Sequence, residues 1–366
     1  MAMMVYACSS KKTESAQSET MEENPDITMT IGTYTDATSE GIYAVDFNTK
    51  TGELSGLKLM AKSPSPSYLA WSPGHGLLYA VNELEGGQVS AYKYEGDTLI
   101  AINEAGTNGI HPCYVDVNDK GDKVAVANYS SGNGAVFELK EDGSIADSLF
   151  TYQHSGNGPN ADRQEAPHAH CSIFSPDGRF VYVVDLGIDQ VKGYPTAGQS
   201  IGSGFTALEL EPGDGPRHLI FHPNKLQAFL INELSNTVVS LAIDTATGIF
   251  KVIDRESTIP EDFTEHSQCA DIHLSSDGKF LYGSNRGHNS IAIFSVAETG
   301  KLERIGVEPV HGEWPRNFTL SPDEKFLLVA NKDTDNIAIF SRDAKTGMLT
   351  YTGNQMSLSK PVCLKF

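Results

Sequence analysis

The sequence is short of positive charge: 27 Lys and Arg residues stand against 47 Asp and Glu, a formal net charge of −20. That balance excludes a nucleic-acid or anionic membrane partner, because both are bound through basic surface. Long apolar runs are missing too, and no stretch of eighteen apolar residues could span a bilayer. Cysteine is sparse: Cys8, Cys113, Cys171, Cys269 and Cys363 form no Cys-x-x-Cys pair. The last four lie in apolar strand patterns, which reads as buried free thiols rather than disulfides or metal ligands. No Gly-x-Ser-x-Gly elbow occurs, which argues against a serine esterase. Gly156-Asn157-Gly158 is not followed by a helical pattern, so no nucleotide-binding loop can be argued.

What is present is a chain of 366 residues, 39% hydrophobic. It is long enough for two domains or one large all-β domain. Residues 1–26 read as a disordered polar tail. The stub Val5-Tyr6-Ala7-Cys8-Ser9-Ser10 resembles the end of a bacterial lipoprotein signal, without the basic start and most of the hydrophobic region. A cytoplasmic protein is expected, the alternative being a periplasmic or lipid-anchored one tethered through Cys8.

From Ile27 onward the chain repeats. The element Pro-x-x-apolar-x-apolar, sometimes with its first residue changed, begins at Pro66, Pro112, Ala169, Pro216, Cys269, Pro315 and Pro361. Six copies run into a turn, such as Ser175-Pro176-Asp177-Gly178 or His222-Pro223-Asn224. Ten residues after each turn begins stands Asn82, Asn128, Asp185, Asn232, Asn285 or Asn331. A period of about 46 to 57 residues, with about four short strands per unit, is the signature of a β-propeller. Seven copies predict an all-β, seven-bladed propeller of four-stranded antiparallel blades over residues 27–366. The seventh copy ends with the chain after one strand, so the N- and C-terminal strands are expected to close the last blade together.

The second position of each copy holds Ser67, Cys113, His170, Arg217, Ala270, Arg316 and Val362. Facing them, just after the Asn or Asp, are Glu83, Tyr129, Leu186, Glu233, Arg286 and Lys332. Counting outward from the turn at Asn224/Lys225 makes Arg217 and Glu233 a cross-strand pair. These positions should ring one mouth of the central channel. Three of the chain's eight arginines fall in that ring, on an acidic protein. A lone ion pair at a strand end is worth little, but cations clustered in register predict an anion site. His168 and His170, at i and i+2, have no third ligand by spacing, so no metal is expected. His218, His222 and His273 are read as hydrogen-bonding within blades.

Gly215-Pro216-Arg217-His218, Phe221-His222-Pro223-Asn224, Asn232-Glu233-Leu234 and Ala270-Asp271-Ile272-His273 resemble the seven-bladed propeller type of 6-phosphogluconolactonase. That lactonase family also includes fungal carboxy-muconate cyclases. The resemblance implies hydrolysis of 6-phospho-D-glucono-1,5-lactone, a small sugar-phosphate lactone, by a monomer or weak homo-oligomer without cofactor. Such hydrolysis needs a base for water, a cation for the developing oxyanion and further cations for phosphate. His170 is the first choice of base, with Glu233 orienting Arg217 or acting as base instead. Arg217 is expected to meet the oxyanion, and Arg286, Arg316 and Lys332 to hold phosphate or ring hydroxyls. Glu83, Asn232, Asn285 and Asp185 complete the expected substrate-binding set. The alternatives are a carboxy-muconate-type lactonising enzyme using the same ring, and a non-enzymatic ligand-binding propeller, which should show an apolar rim.

Overall fold

The computed structural model describes residue 1 and residues 26–74, 76–197 and 200–366. The polar N-terminal stretch, with Cys8, lies outside the described residues. Seven antiparallel sheets follow one another as blades. Blade 1 holds Leu69–Trp71, Leu77–Asn82, Gln88–Glu95 and Thr98–Gly106; blade 2 holds Pro112–Val117, Lys123–Asn128, Asn133–Leu139 and Ile145–Gln153. Blade 3 holds Ala169–Phe174, Phe180–Asp185, Gln190–Ala197 and Phe205–Glu209, with a short extra strand Ser200–Ile201. Blade 4 comprises Pro216–Phe221, Gln227–Asn232, Thr237–Asp244 and Ile249–Ser257, and blade 5 comprises Gln268–Leu274, Phe280–Arg286, Ser290–Val296 and Leu302–Pro309. Blade 6 is Pro315–Leu320, Phe326–Asn331, Asn336–Arg342 and Leu349–Ser357. Blade 7 joins the ends of the chain: Pro361–Lys365 pairs with Asp26–Thr33, which continues to Gly41–Asn48 and Leu54–Lys62. Ile31 faces Leu364 across that seam, and both are fully buried.

The recurrent turns form for local reasons. In blade 3 the Ser175 hydroxyl bonds Asp177 Oδ1 at 2.7 Å, while the Arg179 amide donates to both side chains. The same Ser–Asp pair closes the turns at Ser275 and Ser321. Buried strand residues of neighbouring blades then interlock, as Phe229 and Ile231 do with Ile272, Leu281 and Phe294.

One irregularity repeats around the ring. In blade 4, Pro216 faces Asn232 and His218 faces Ile231, so Arg217 is an extra residue without a cross-strand mate. Arg217 and Glu233 are therefore not a register pair, because this β-bulge shifts the count by one. Equivalent bulges fall at Cys113, His170, Ala270–Asp271, Arg316 and Val362. A bulge bends the strand and re-aims the extra side chain. In blades 2, 3 and 6 the extra residue, Cys113, His170 or Arg316, lines one shared cavity.

Candidate active site

The second ring is fixed by a repeated backbone bond. The amides of Glu83, Tyr129, Leu186, Glu233 and Lys332 donate to the carbonyls of Ser65, His111, His168, Gly215 and Trp314, the last four each two residues before a bulge position. Each bond stands the ring residue beside a bulge residue, and the strongest consequence is in blade 4. There Arg217 Nε meets Glu233 Oε2 at 3.0 Å, and Arg286 Nη2 reaches the same oxygen at 2.7 Å. Backbone carbonyls brace both arginines: Arg217 Nη1 donates to Ala270 O at 2.6 Å and Arg286 Nη2 to Cys269 O at 2.7 Å. The other oxygen, Glu233 Oε1, is held by Arg163 Nη2 at 2.5 Å. Burial raises the proton affinity of Glu233, but Arg286, Arg217 and Arg163 overrule it and pull the carboxyl down to about 2. Burial, aided by Arg217 and Arg316, conversely lowers Arg286 to about 10 despite Glu233.

Opposite this cluster, Tyr34 OH donates to Glu83 at 2.9 Å, and the Ser67 hydroxyl bonds the same carboxylate. Arg316 Nη2 stands 3.7 Å from Glu83 Oε2 and its guanidinium lies 5.4 Å from the Tyr34 ring centre. Between the two groups sits His170, buried, its Nδ1 3.7 Å from the Cys113 thiol and its ring edge-on to Tyr129. Burial first, then Arg217, His218 and Arg316, hold the imidazole well below its ordinary proton affinity, so it is neutral at physiological pH.

Together Tyr34, Glu83, Cys113, Tyr129, Arg163, His170, Glu233, Gln268, Arg286 and Arg316 line a cavity of about 210 Å³. A larger cleft of about 700 Å³, lined by Ser295, Val296, Ala297 and Leu302, balances Glu256 and Glu303 against Lys301 and Arg304 and has no histidine. Chemistry rather than volume marks the site. Polar groups converging in a concavity are the usual ground for a small-molecule site.

Several expected residues are placed elsewhere. Asn232 donates to Thr237 Oγ1 at 2.9 Å, and Asn285 to Thr258 O at 3.0 Å. Asp185 accepts from His154 Nδ1 at 2.6 Å and from the His168 amide at 2.7 Å. All three are fully buried and serve the blades, not the cavity. The recurrent Asn is explained by its amide, which in Asn82, Asn128, Asn285 and Asn331 caps a carbonyl of the incoming inter-blade segment. Arg217 stands behind Glu233 and outside the cavity lining, and so does Lys332, with its ammonium over the Trp314 ring and 3.1 Å from Asp333. His168 stacks on Tyr129 and bonds Tyr129 O at 3.1 Å. Among the described residues no group of three or more His, Cys, Asp or Glu could hold a metal. His218 bonds Asp271 of the next blade, so its role crosses blades instead of staying within one. Cys113, Cys171, Cys269 and Cys363 are buried free thiols. Sequence reasoning missed Arg163, Tyr34 and Gln268, of which Arg163 and Tyr34 come from outside the first two strands of a blade. The only available signal for Arg163 was its position just ahead of His168-Ala169-His170.

The fold and site together define a propeller enzyme with a cation-rich pocket at one channel mouth. Residues 28–366 match the family "Lactonase, 7-bladed beta-propeller", and the chain belongs to that family. It is 41% identical to the 6-phosphogluconolactonase of Bacillus subtilis over 344 residues, covering 92% of this chain and 97% of the relative. A crystal structure of a Lactobacillus plantarum protein, 37% identical, superposes with a TM-score of 0.88 over 93% of this chain and 99% of its own. The Pseudomonas aeruginosa periplasmic gluconolactonase, 31% identical, gives a TM-score of 0.87 over 93% and 98%. No helix among the described residues is long and apolar enough to cross a membrane.

Proposed function

We propose that this lactonase hydrolyses 6-phospho-D-glucono-1,5-lactone to 6-phosphogluconate. The observation that carries the reading is the convergence of three guanidinium groups on Glu233 beside a neutral, buried His170. Around Glu233 the charges of Arg163, Arg217 and Arg286 leave a surplus of positive charge, which suits an anionic substrate and an anionic transition state. The name of the Bacillus relative supports the same substrate.

In this reading the lactone carbonyl oxygen lies against Arg286, whose guanidinium is already fixed by Glu233 and by a backbone carbonyl, while Arg217, behind Glu233, adds its charge. Preorganised donors of this kind stabilise charge as it develops, without reorganising. Water attacks the carbonyl carbon and passes its proton to His170, whose neutral ring offers a lone pair. The tetrahedral intermediate then expels the ring oxygen, which takes up a proton, opening the ring to the acid. Glu233 orients the two arginines, while Glu83 and Arg316 hold ring hydroxyls. The reading is tested by measuring hydrolysis of 6-phosphoglucono-1,5-lactone against its spontaneous opening, with glucono-1,5-lactone and a carboxylated muconolactone alongside. A preference for the muconolactone would move the activity to the cyclase branch of the resemblance. Equal rates on both gluconolactones would remove the phosphate from the reading.

A further inference from the structure

Arg163 is unlike the other arginines of the pocket. Arg217 and Arg286 come from blade strands, have side chains 2% and 5% exposed, and are committed to backbone carbonyls. Arg163 comes from the segment between Gln153 of blade 2 and Ala169 of blade 3, and its side chain is 33% exposed. Its guanidinium donates to Glu233 Oε1, to Gln268 Oε1 at 2.9 Å and to Tyr129 OH at 3.2 Å, each a side-chain acceptor. It can therefore exchange a partner without stranding a buried carbonyl, and Glu233 keeps Arg217 and Arg286 when it does.

The segment that carries it is pinned. Gln164 is fully buried; its Nε2 donates to Leu186 O at 2.8 Å and to Asp189 Oδ1 at 2.7 Å. Its carbonyl accepts from the Gly158 amide at 2.9 Å. Asp189 in turn accepts from the Gly215 amide at 2.8 Å, which leads directly into Pro216-Arg217. Gly158 leaves no room for a side chain there, since a Cβ would stand 2.5 Å from the Gln164 amide carbon. So the guanidinium is free to change partners while its backbone is held in register with Arg217. A planar fork held at a fixed place and open to solvent is suited to grasp two oxygens of one anion.

We infer that Arg163 is the specificity-determining residue for the anionic substituent of the substrate, exchanging Glu233 Oε1 for a phosphate as the lactone enters. This rests on the function proposed above and assigns the phosphate to Arg163 and not to Arg316, whose charge is matched by Glu83. The alternative cation, Lys332, stands outside the lining.

The test compares the full chain with its Arg163→Gln variant in two measurements. The first is the ratio of kcat/KM for 6-phosphoglucono-1,5-lactone to that for glucono-1,5-lactone, which should fall by about tenfold or more in the variant. The second is titration with 6-phosphogluconate, whose dissociation constant should rise by about the same factor. If Arg163→Gln does not fold, Arg163→Lys decides: an ammonium keeps the charge but loses the fork, and the ratio should fall by about threefold or more. A ratio unchanged within twofold overturns the assignment to Arg163. Failure of the unaltered protein to hydrolyse either lactone overturns the proposed function instead. The titration then decides Arg163 alone: weakened 6-phosphogluconate binding in the variant sustains it, and equal or absent binding overturns it.

Discussion

Arg217 donates through Nη1 to His218 Nε2 at 3.1 Å, and this contact ties the pocket to a buried acid. With Nε2 accepting, the proton of His218 sits on Nδ1 and is donated to Asp271 Oδ1 at 2.8 Å. Asp271 also bonds His273 at 3.0 Å and the amide of Asn317. Glu233, Arg217, His218 and Asp271 thus form one chain from the mouth into the channel wall.

That chain predicts how stability depends on pH. Burial, then the charge of Arg217, brings His218 down to about 4 against Asp271's opposing pull. His170 is lowered as well. The unfolded chain takes up these protons near pH 6.5, before the folded one can. Stability from both histidines is therefore complete above pH 6.5 and is lost progressively below it, for His218 as the pH falls toward about 4. Calorimetry at pH 7, 5.5 and 4.5 should show a falling Tm, with a shallower fall in His218→Gln. An equal fall in that variant would locate the proton uptake elsewhere.

The base is decided by the acid limb of the pH–rate profile. His170 is held low, and Glu233 lies at about 2, so activity should persist well below the ordinary imidazole range with either as base. His170→Ala should cost about 10²–10⁴ in rate and abolish the limb. Should the limb survive there and vanish in Glu233→Gln, the proton acceptor is Glu233 and His170 only positions the substrate.

Arg217 and Arg316 should separate kinetically. Arg217→Ala is expected to lower kcat by roughly a hundredfold or more with little change in KM, as for a fixed charge felt mainly in the transition state. Arg316→Ala should mainly raise KM, because a hydroxyl-binding group acts alike in ground and transition states. Steady-state kinetics on both variants checks this, and a reversed pattern would exchange their roles.

Blade closure makes a stability prediction. Removing residues 361–366 takes away the strand paired with Asp26–Thr33, together with buried Val362, Cys363 and Leu364. The loss should be several kcal/mol, from burial and ladder bonds combined. An unchanged melting temperature would show that the seam contributes nothing.

The repeat made the fold legible, down to the shared last blade, because seven copies of one strand–turn pattern admit few other arrangements. His170, Arg217, Glu233, Arg286, Arg316 and Glu83 were legible as one set since each recurs at a fixed place in the repeat. The pairing of Arg217 with Glu233 was read for the wrong reason: a bulge adds a residue without changing the apolar pattern, so counting from the turn missed it. Asn232, Asn285 and Asp185 share the period but not the direction of the ring, and periodicity alone does not distinguish a cap from a ligand. Arg163 lies in a segment without a repeat, where only tertiary hydrogen bonds such as those of Gln164 set its place.

The recurring bulge has an engineering corollary. An extra residue takes no part in the ladder, so its identity is decoupled from the sheet that carries it, and Cys113, His170 and Arg316 meet the pocket as independently replaceable contacts. Cys113 occupies one of these positions with a small side chain that the proposed chemistry does not use. Exchanging it is a route to lactones bearing other substituents, with the blade itself left as it is.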